Sequence, residues 1–196
     1  MNQLIISIHY FSGVTLAIFI GVHLFNHLLV LHSEAKHLSF MKKARRFYRN
    51  PIAEFILLVA VTVQVVSGIT LVIDKWDESF VLFEWLHILS GLYLSFFLVA
   101  HVTAVMVGRH RLKMDTNLYY GAGVVNMYPH QLFFIPYYAL GVLSFFVHMA
   151  SVHRVKMQDY VALSQAEQQA WIIIGIGVVY AVVVLWKMTH LSISKK

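Results

Sequence analysis

The chain has 196 residues, of which 59% are hydrophobic and only 12% charged, with a formal net charge of +6. Its mean hydropathy of +0.70 and pI near 9.6 sit far from a soluble domain, where roughly a quarter of residues are charged. A water-soluble core of this length could not hide so much apolar surface, so the surrounding solvent is lipid. The basic residues are grouped in short segments between apolar runs, the pattern of membrane loops rather than of a nucleic-acid-binding protein. The absence of cysteine excludes disulfides, iron–sulfur ligation and covalent haem attachment.

A bilayer core needs roughly 20 apolar residues per helix. Five segments meet that length: Leu4–Leu31, Ile52–Ile73, Phe80–Val107, Gln131–Val152 and Ala170–Leu191. The first is too long for the apolar part of a signal peptide, so no cleavable leader is expected. Pro51 is placed to open the second helix, and Pro136 lies inside the fourth, where it is expected to kink it. The whole chain, 1–196, reads as one all-α integral membrane domain. The stretch between the first two spans carries Lys36, Lys42, Lys43, Arg45, Arg46 and Arg49 against Glu34 alone. The next connection is acidic, with Asp74, Asp77 and Glu78 near Lys75. The third is basic, with Arg109, Arg111 and Lys113, and the chain ends in Lys195 and Lys196. The positive-inside rule then predicts an outside N-terminus in a bacterial inner membrane, with Arg154 and Lys156 running against the trend.

The first and third spans share an internal repeat. His9, Ser12, Gly13, Leu16, Phe19 and His23 have the same identities and spacing as His87, Ser90, Gly91, Leu94, Phe97 and His101. The second span holds a fragment of it, Gln64 followed by Ser67 and Gly68. Histidines 14 residues apart share a helix face and are separated by about 21 Å along it. Helices one and three run the same way, so His9 is expected at the depth of His87, and His23 at the depth of His101. Each pair suits axial ligation of a haem b. Gly13 and Gly91 could admit a flat macrocycle, or could serve as small-residue helix contacts. His32, His37, His110 and His190 are expected at helix ends or in loops. A histidine-based transporter without haem, and a stand-alone haem sensor or carrier, are the rival readings.

With these residues in view, the chain resembles the single-chain, five-helix cytochrome b membrane anchors of succinate dehydrogenases and fumarate reductases. The resemblance spans about Ile8–Val155. It rests on His9, Gly13 and His23 in the first helix and on Ser90, Gly91 and His101 in the third. The fourth helix adds the run Tyr138, Gly141, Val142, Leu143, Ser144 and His148. It implies a four-helix haem-binding bundle plus one peripheral helix. It also implies one haem b or two, a quinone, and flavoprotein or iron–sulfur partner subunits of an oxidoreductase. Two departures stand out. Gln64 occupies the place of the second helix's ligand, and the loop charges reverse the family's orientation. His148 therefore lacks its usual partner. An outer layer of His9, His87 and His148 is expected either to clamp a second haem between His9 and His87, or to face quinone or haem propionates.

Overall fold

The computed structural model describes residues 3–75 and 81–191. The described chain is helical throughout, with no strand. Seven α-helices follow in order: α1 (Gln3–Leu28), α2 (Glu34–Tyr48), α3 (Pro51–Asp74), α4 (Leu82–His110), α5 (Leu118–Asn126), α6 (Gln131–Met157) and α7 (Leu163–Thr189). Five of them are long and apolar enough to cross a membrane: α1 with its short 3-10 extension to Leu31, α3, α4, α6 and α7. Their outward side chains are large and apolar, including Ile18, Phe55 and Ile73, each about two-thirds exposed. A surface of that kind requires lipid, and the protein is an integral membrane protein.

The spans run close to their expected limits except at two ends: α6 continues past Val152 to Met157, and α7 begins early. Phe80, Asp77 and Glu78 lie outside the described residues, as do Lys195 and Lys196. α7 starts at Leu163, a full two turns before Ala170. Its first turns hold Gln165, Glu167 and Gln169, which lower the hydropathy without breaking the helix. Gln165 Oε1 accepts from the Ala162 N–H at 3.3 Å, closing the helix start. Glu167 takes two bonds from Arg154, and Gln169 Oε1 meets His153 Nε2 at 2.8 Å.

The spans pack in sequence, α1 on α3, α3 on α4, α4 on α6 and α6 on α7, and α7 returns to α1. Tyr180 makes that closure, donating from α7 to the Leu24 carbonyl at 2.6 Å. The buried face of α7 reads Ala166, Ala170, Gly177, Ala181, Val184 and Met188, steps of three, four and seven that line one side of a helix. In lipid there is no apolar driving force between helices, so small residues that permit close backbone approach carry the seam.

Two helices lie outside the spans. α2 was legible only as a basic loop between Ser33 and Asn50. It is an amphipathic helix, capped by Ser33 Oγ, which accepts from the Lys36 N–H at 3.1 Å. Its inward stripe is His37, Met41, Ala44, Arg45 and Tyr48, while Lys36, Lys42, Lys43 and Arg46 face out. α5 supplies Leu118, Ala122 and Val125 to a core cluster with Val30, Val184 and Met188. It plugs the end of the bundle on the side that carries α2.

Candidate functional site

The histidines of the repeat form two layers. In the layer near α2, His23 and His101 face each other across the bundle with ring centroids 6.2 Å apart. Each is backed by the phenylalanine four residues earlier on its own helix. Phe19 stacks on His23 at 6.1 Å and 19°, and Phe97 on His101 at 5.2 Å and 11°. The Phe-x3-His spacing of the repeat therefore sets the same ring orientation twice. Among the described residues neither His23 nor His101 makes a hydrogen bond, although each sits in the interior of the spans.

The same layer continues into residues not expected there. His27, one turn after His23, meets it at 4.7 Å, and His37 of α2 meets His27 at 5.3 Å. His37 was expected at an interface; it is 1% exposed. It donates Nδ1–H to the Asn26 carbonyl at 2.8 Å, and Asn26 Nδ2 approaches its Nε2 at 3.4 Å. The spacing of four between His23 and His27 was a visible signal that both lie on one face. A narrow gap of about 10 Å³ lies beside His23, lined by Phe19, Val22, Asn26, Ala44 and Tyr48.

Burial lowers the pKa of His37 from its ordinary 6.5; the Asn26 carbonyl opposes the shift and Arg45 reinforces it. With α2 undocked, His37 binds a proton below pH 6.5 more readily than it does docked. Docking is then complete above that pH and weakens as pH falls through it. Hydrogen exchange in α2, corrected for intrinsic rates, is expected to rise between pH 7.5 and 5.5. His37→Gln should remove the dependence; an unchanged dependence would assign it to another group.

The second layer holds His9, His87 and His148, within electrostatic reach of one another. His87 and His148 touch, with centroids 4.5 Å apart. His9 instead turns to α3. Its Nδ1 meets Ser67 Oγ at 2.9 Å and its Nε2 meets Gln64 Nε2 at 3.0 Å. The donor directions follow from the neighbours. Ser67 donates its own hydrogen to the Val63 carbonyl at 2.6 Å, so His9 Nδ1–H must donate to Ser67. His9 Nε2 then accepts from the Gln64 amide, whose Oε1 accepts from Ser12 Oγ at 2.6 Å.

One local device recurs here. Each Ser–Gly step seats a polar side chain from the antiparallel helix beside it. A Cβ on Gly68 would lie 3.1 Å from the His9 ring, and one on Gly91 would lie 3.3 Å from the His148 ring. One on Gly13 would lie 3.3 Å from the Gln64 amide. Ser90 repeats the role of Ser67: it donates to the His87 carbonyl at 3.0 Å and faces His148 Nδ1 at 3.4 Å. His148 is thus set with Nδ1–H toward Ser90, which leaves its Nε2 the basic nitrogen. As they stand, Gly13 and Gly91 are helix-contact positions.

Gly141 of the fourth-helix run has a related function. A Cβ there would come within 2.5 Å of the Phe97 ring, so the glycine makes room for the ring that backs His101. Tyr93 and Tyr137 stitch the same seam, Tyr93 donating to the Tyr137 carbonyl at 3.1 Å and Tyr137 to that of Phe97 at 3.3 Å. His110 and His190 lie at helix ends, as expected. Among the described residues no three His, Asp or Glu side chains converge on a point where a bare metal ion would sit. A larger apolar groove of about 590 Å³ runs along the α3–α4 seam past Val65, Ile69, Leu92 and Phe96. It opens outward and contains no histidine.

No family model, curated protein sequence or solved structure matches the chain.

Proposed function

We propose that the chain binds haem b between His23 and His101 and carries electrons between a quinone and a partner redox subunit, as the resemblance to succinate dehydrogenase and fumarate reductase anchors implies. One observation carries the haem assignment. Two imidazoles face each other inside the bundle, without hydrogen bonds, at a ring separation of 6.2 Å. Two metal–imidazole bonds of about 2 Å each, with the ring radii added, set ring centres roughly 6 Å apart. A haem held there supplies one-electron chemistry at a potential tuned by its surroundings. The protein's contribution is to orient both rings by the Phe19 and Phe97 stacks and to keep water out. His87 and His148, at 4.5 Å, are too close together for the same arrangement. His9 has both nitrogens engaged on α3. The outer layer therefore fits hydrogen bonding to a quinone oxygen better than a second clamp, and neutral imidazoles there suit proton exchange with a quinol.

The test is a reduced-minus-oxidised visible spectrum of the purified chain with its haem content. A sharp low-spin α-band and one haem per chain, reducible by a quinol analogue, are expected. No α-band would favour a histidine-based transporter, and a haem inert to quinol a sensor or carrier.

The loop charges support a cytoplasmic side carrying α2 and the Arg109–Lys113 connection. On the opposite side Arg154 is held by Glu167 at 2.8 Å and lies over the Phe83 ring. A C-terminal reporter active only in the periplasm is expected to be silent, and one that fluoresces only in the cytoplasm to be bright. The reverse result would restore the orientation of the anchors the chain resembles.

A further inference from the structure

Among the described residues, the buried side-chain polar atoms left without a partner are Asn26 Oδ1, His27 Nδ1, and Arg45 Nε and Nη2. They gather around one element. Asn26 and His27 are joined to His37, and Arg45 acts on His37 from two turns further along the inward stripe of α2. Arg45 reaches across to the α4–α5 connection, where Nη1 donates to Asp115 at 2.7 Å. Burial pushes the Asp115 carboxyl up, but the bonds from Arg45 and Asn117 hold it below its ordinary range. That pair satisfies one edge of the guanidinium. Its other edge, Nε and Nη2, is the geometry that grips two oxygens of a carboxylate or phosphate. Arg49, one turn further on, donates to Thr116 at 2.9 Å, so a second cation faces the same α4–α5 connection. Glu54, the remaining nearby acid, is already paired with Arg109.

A guanidinium edge with two buried, unpaired donors is not a resting arrangement for a folded protein, because each gives up its water without gaining a partner. We infer that Arg45 forms an oxyanion site on the inner face of α2, and that its occupant is a propionate of the haem beside His23 or the phosphate of a bound lipid. The propionate source rests on the haem reading above; the lipid source does not. α2 then does more than lie on the membrane: it closes the inner layer with a positive cap that a neutral cofactor would not need.

The test compares haem with its dimethyl ester, which lacks the carboxylates, in the full-length chain in lipid nanodiscs. Wild type and Arg45→Gln are loaded with each, and the rate of haem loss to a soluble apo-globin is followed, with phosphorus assayed in the purified proteins. With a propionate as occupant, wild type should lose the ester roughly 10- to 100-fold faster than haem, the range expected for one charge-assisted bond. Arg45→Gln should lose both at the faster rate, and Arg45→Lys should fall between. With a lipid phosphate as occupant, haem and ester should leave wild type equally. Arg45→Gln should then lose tightly bound phospholipid, and this arm can be read even if wild type holds no haem. Equal rates for haem and ester together with unchanged phospholipid in Arg45→Gln would overturn the site. Helix content and thermal midpoint, measured on each variant, separate loss of the site from loss of the fold.

Discussion

Alanine at His23 or at His101 is expected to abolish the low-spin α-band and most of the bound haem, while alanine at His87 or His148 leaves both in place. The asymmetry follows from what holds each ring. His23 and His101 make no hydrogen bonds among the described residues and are positioned by their stacks on Phe19 and Phe97. His148 is oriented by Ser90, and its ring is in contact with His87 at 4.5 Å, which leaves no room for a metal between the two rings. On the haem reading, removing one of the two imidazoles would leave a single protein ligand, and the optical signature of paired histidines would be lost. Phe97→Ala should keep the band but weaken haem retention, since it loosens a ring without deleting a ligand. If both His23→Ala and His101→Ala retain wild-type spectrum and haem content, the assignment is wrong.

The second large effect concerns the α6–α7 seam. Gly177→Leu is expected to destabilise the bundle by at least the roughly 1–3 kcal/mol of an overpacked core, and to cut the yield of folded protein several-fold. A Cβ at Gly177 would overlap the Cβ of Phe146, an atom fixed to the α6 backbone that cannot swing aside. Gly175, two residues earlier on the same helix, has nothing within 4 Å of its Cβ position. Gly175→Ala should therefore be neutral, or should stabilise by up to about 1 kcal/mol through helix propensity. Thermal unfolding of the two variants in one detergent checks the contrast. Equal midpoints would mean that the seam yields more than its geometry implies.

The five spans were legible because apolar length suffices to mark them. The repeat was legible because both copies keep their spacing. Phe-x3-His and the matching depth of His23 and His101 came directly from 3.6-residue periodicity on parallel helices. What sequence reasoning missed had a different cause. In α2 the cations Lys36 to Arg49 suggested a loop, although His37, Met41, Ala44 and Tyr48 already described one face of a helix behind a serine cap. His27 was overlooked because the repeat has no counterpart for it; the matching position in α4 is Val105. The Ser–Gly steps could be found in the sequence, but their occupants could not. Whether Gly68 receives His9 and Gly91 receives His148 depends on which helix lies alongside, and no local pattern encodes that. The early start of α7 was hidden because its Gln and Glu residues partner Arg154 and His153 across a turn.

The bonds running from Ser12 through Gln64 and His9 to Ser67 and the Val63 carbonyl all point the same way. Each donor hands its hydrogen forward, and no member can reverse alone. His9 is locked into one tautomer, and the nitrogen that would face His87 is occupied by a single amide on α3. On the haem reading, Gln64 is thus the latch that keeps the chain a one-centre carrier. Shortening that side chain would release the basic nitrogen of His9, and a second opposed pair would then require only that His87 part from His148.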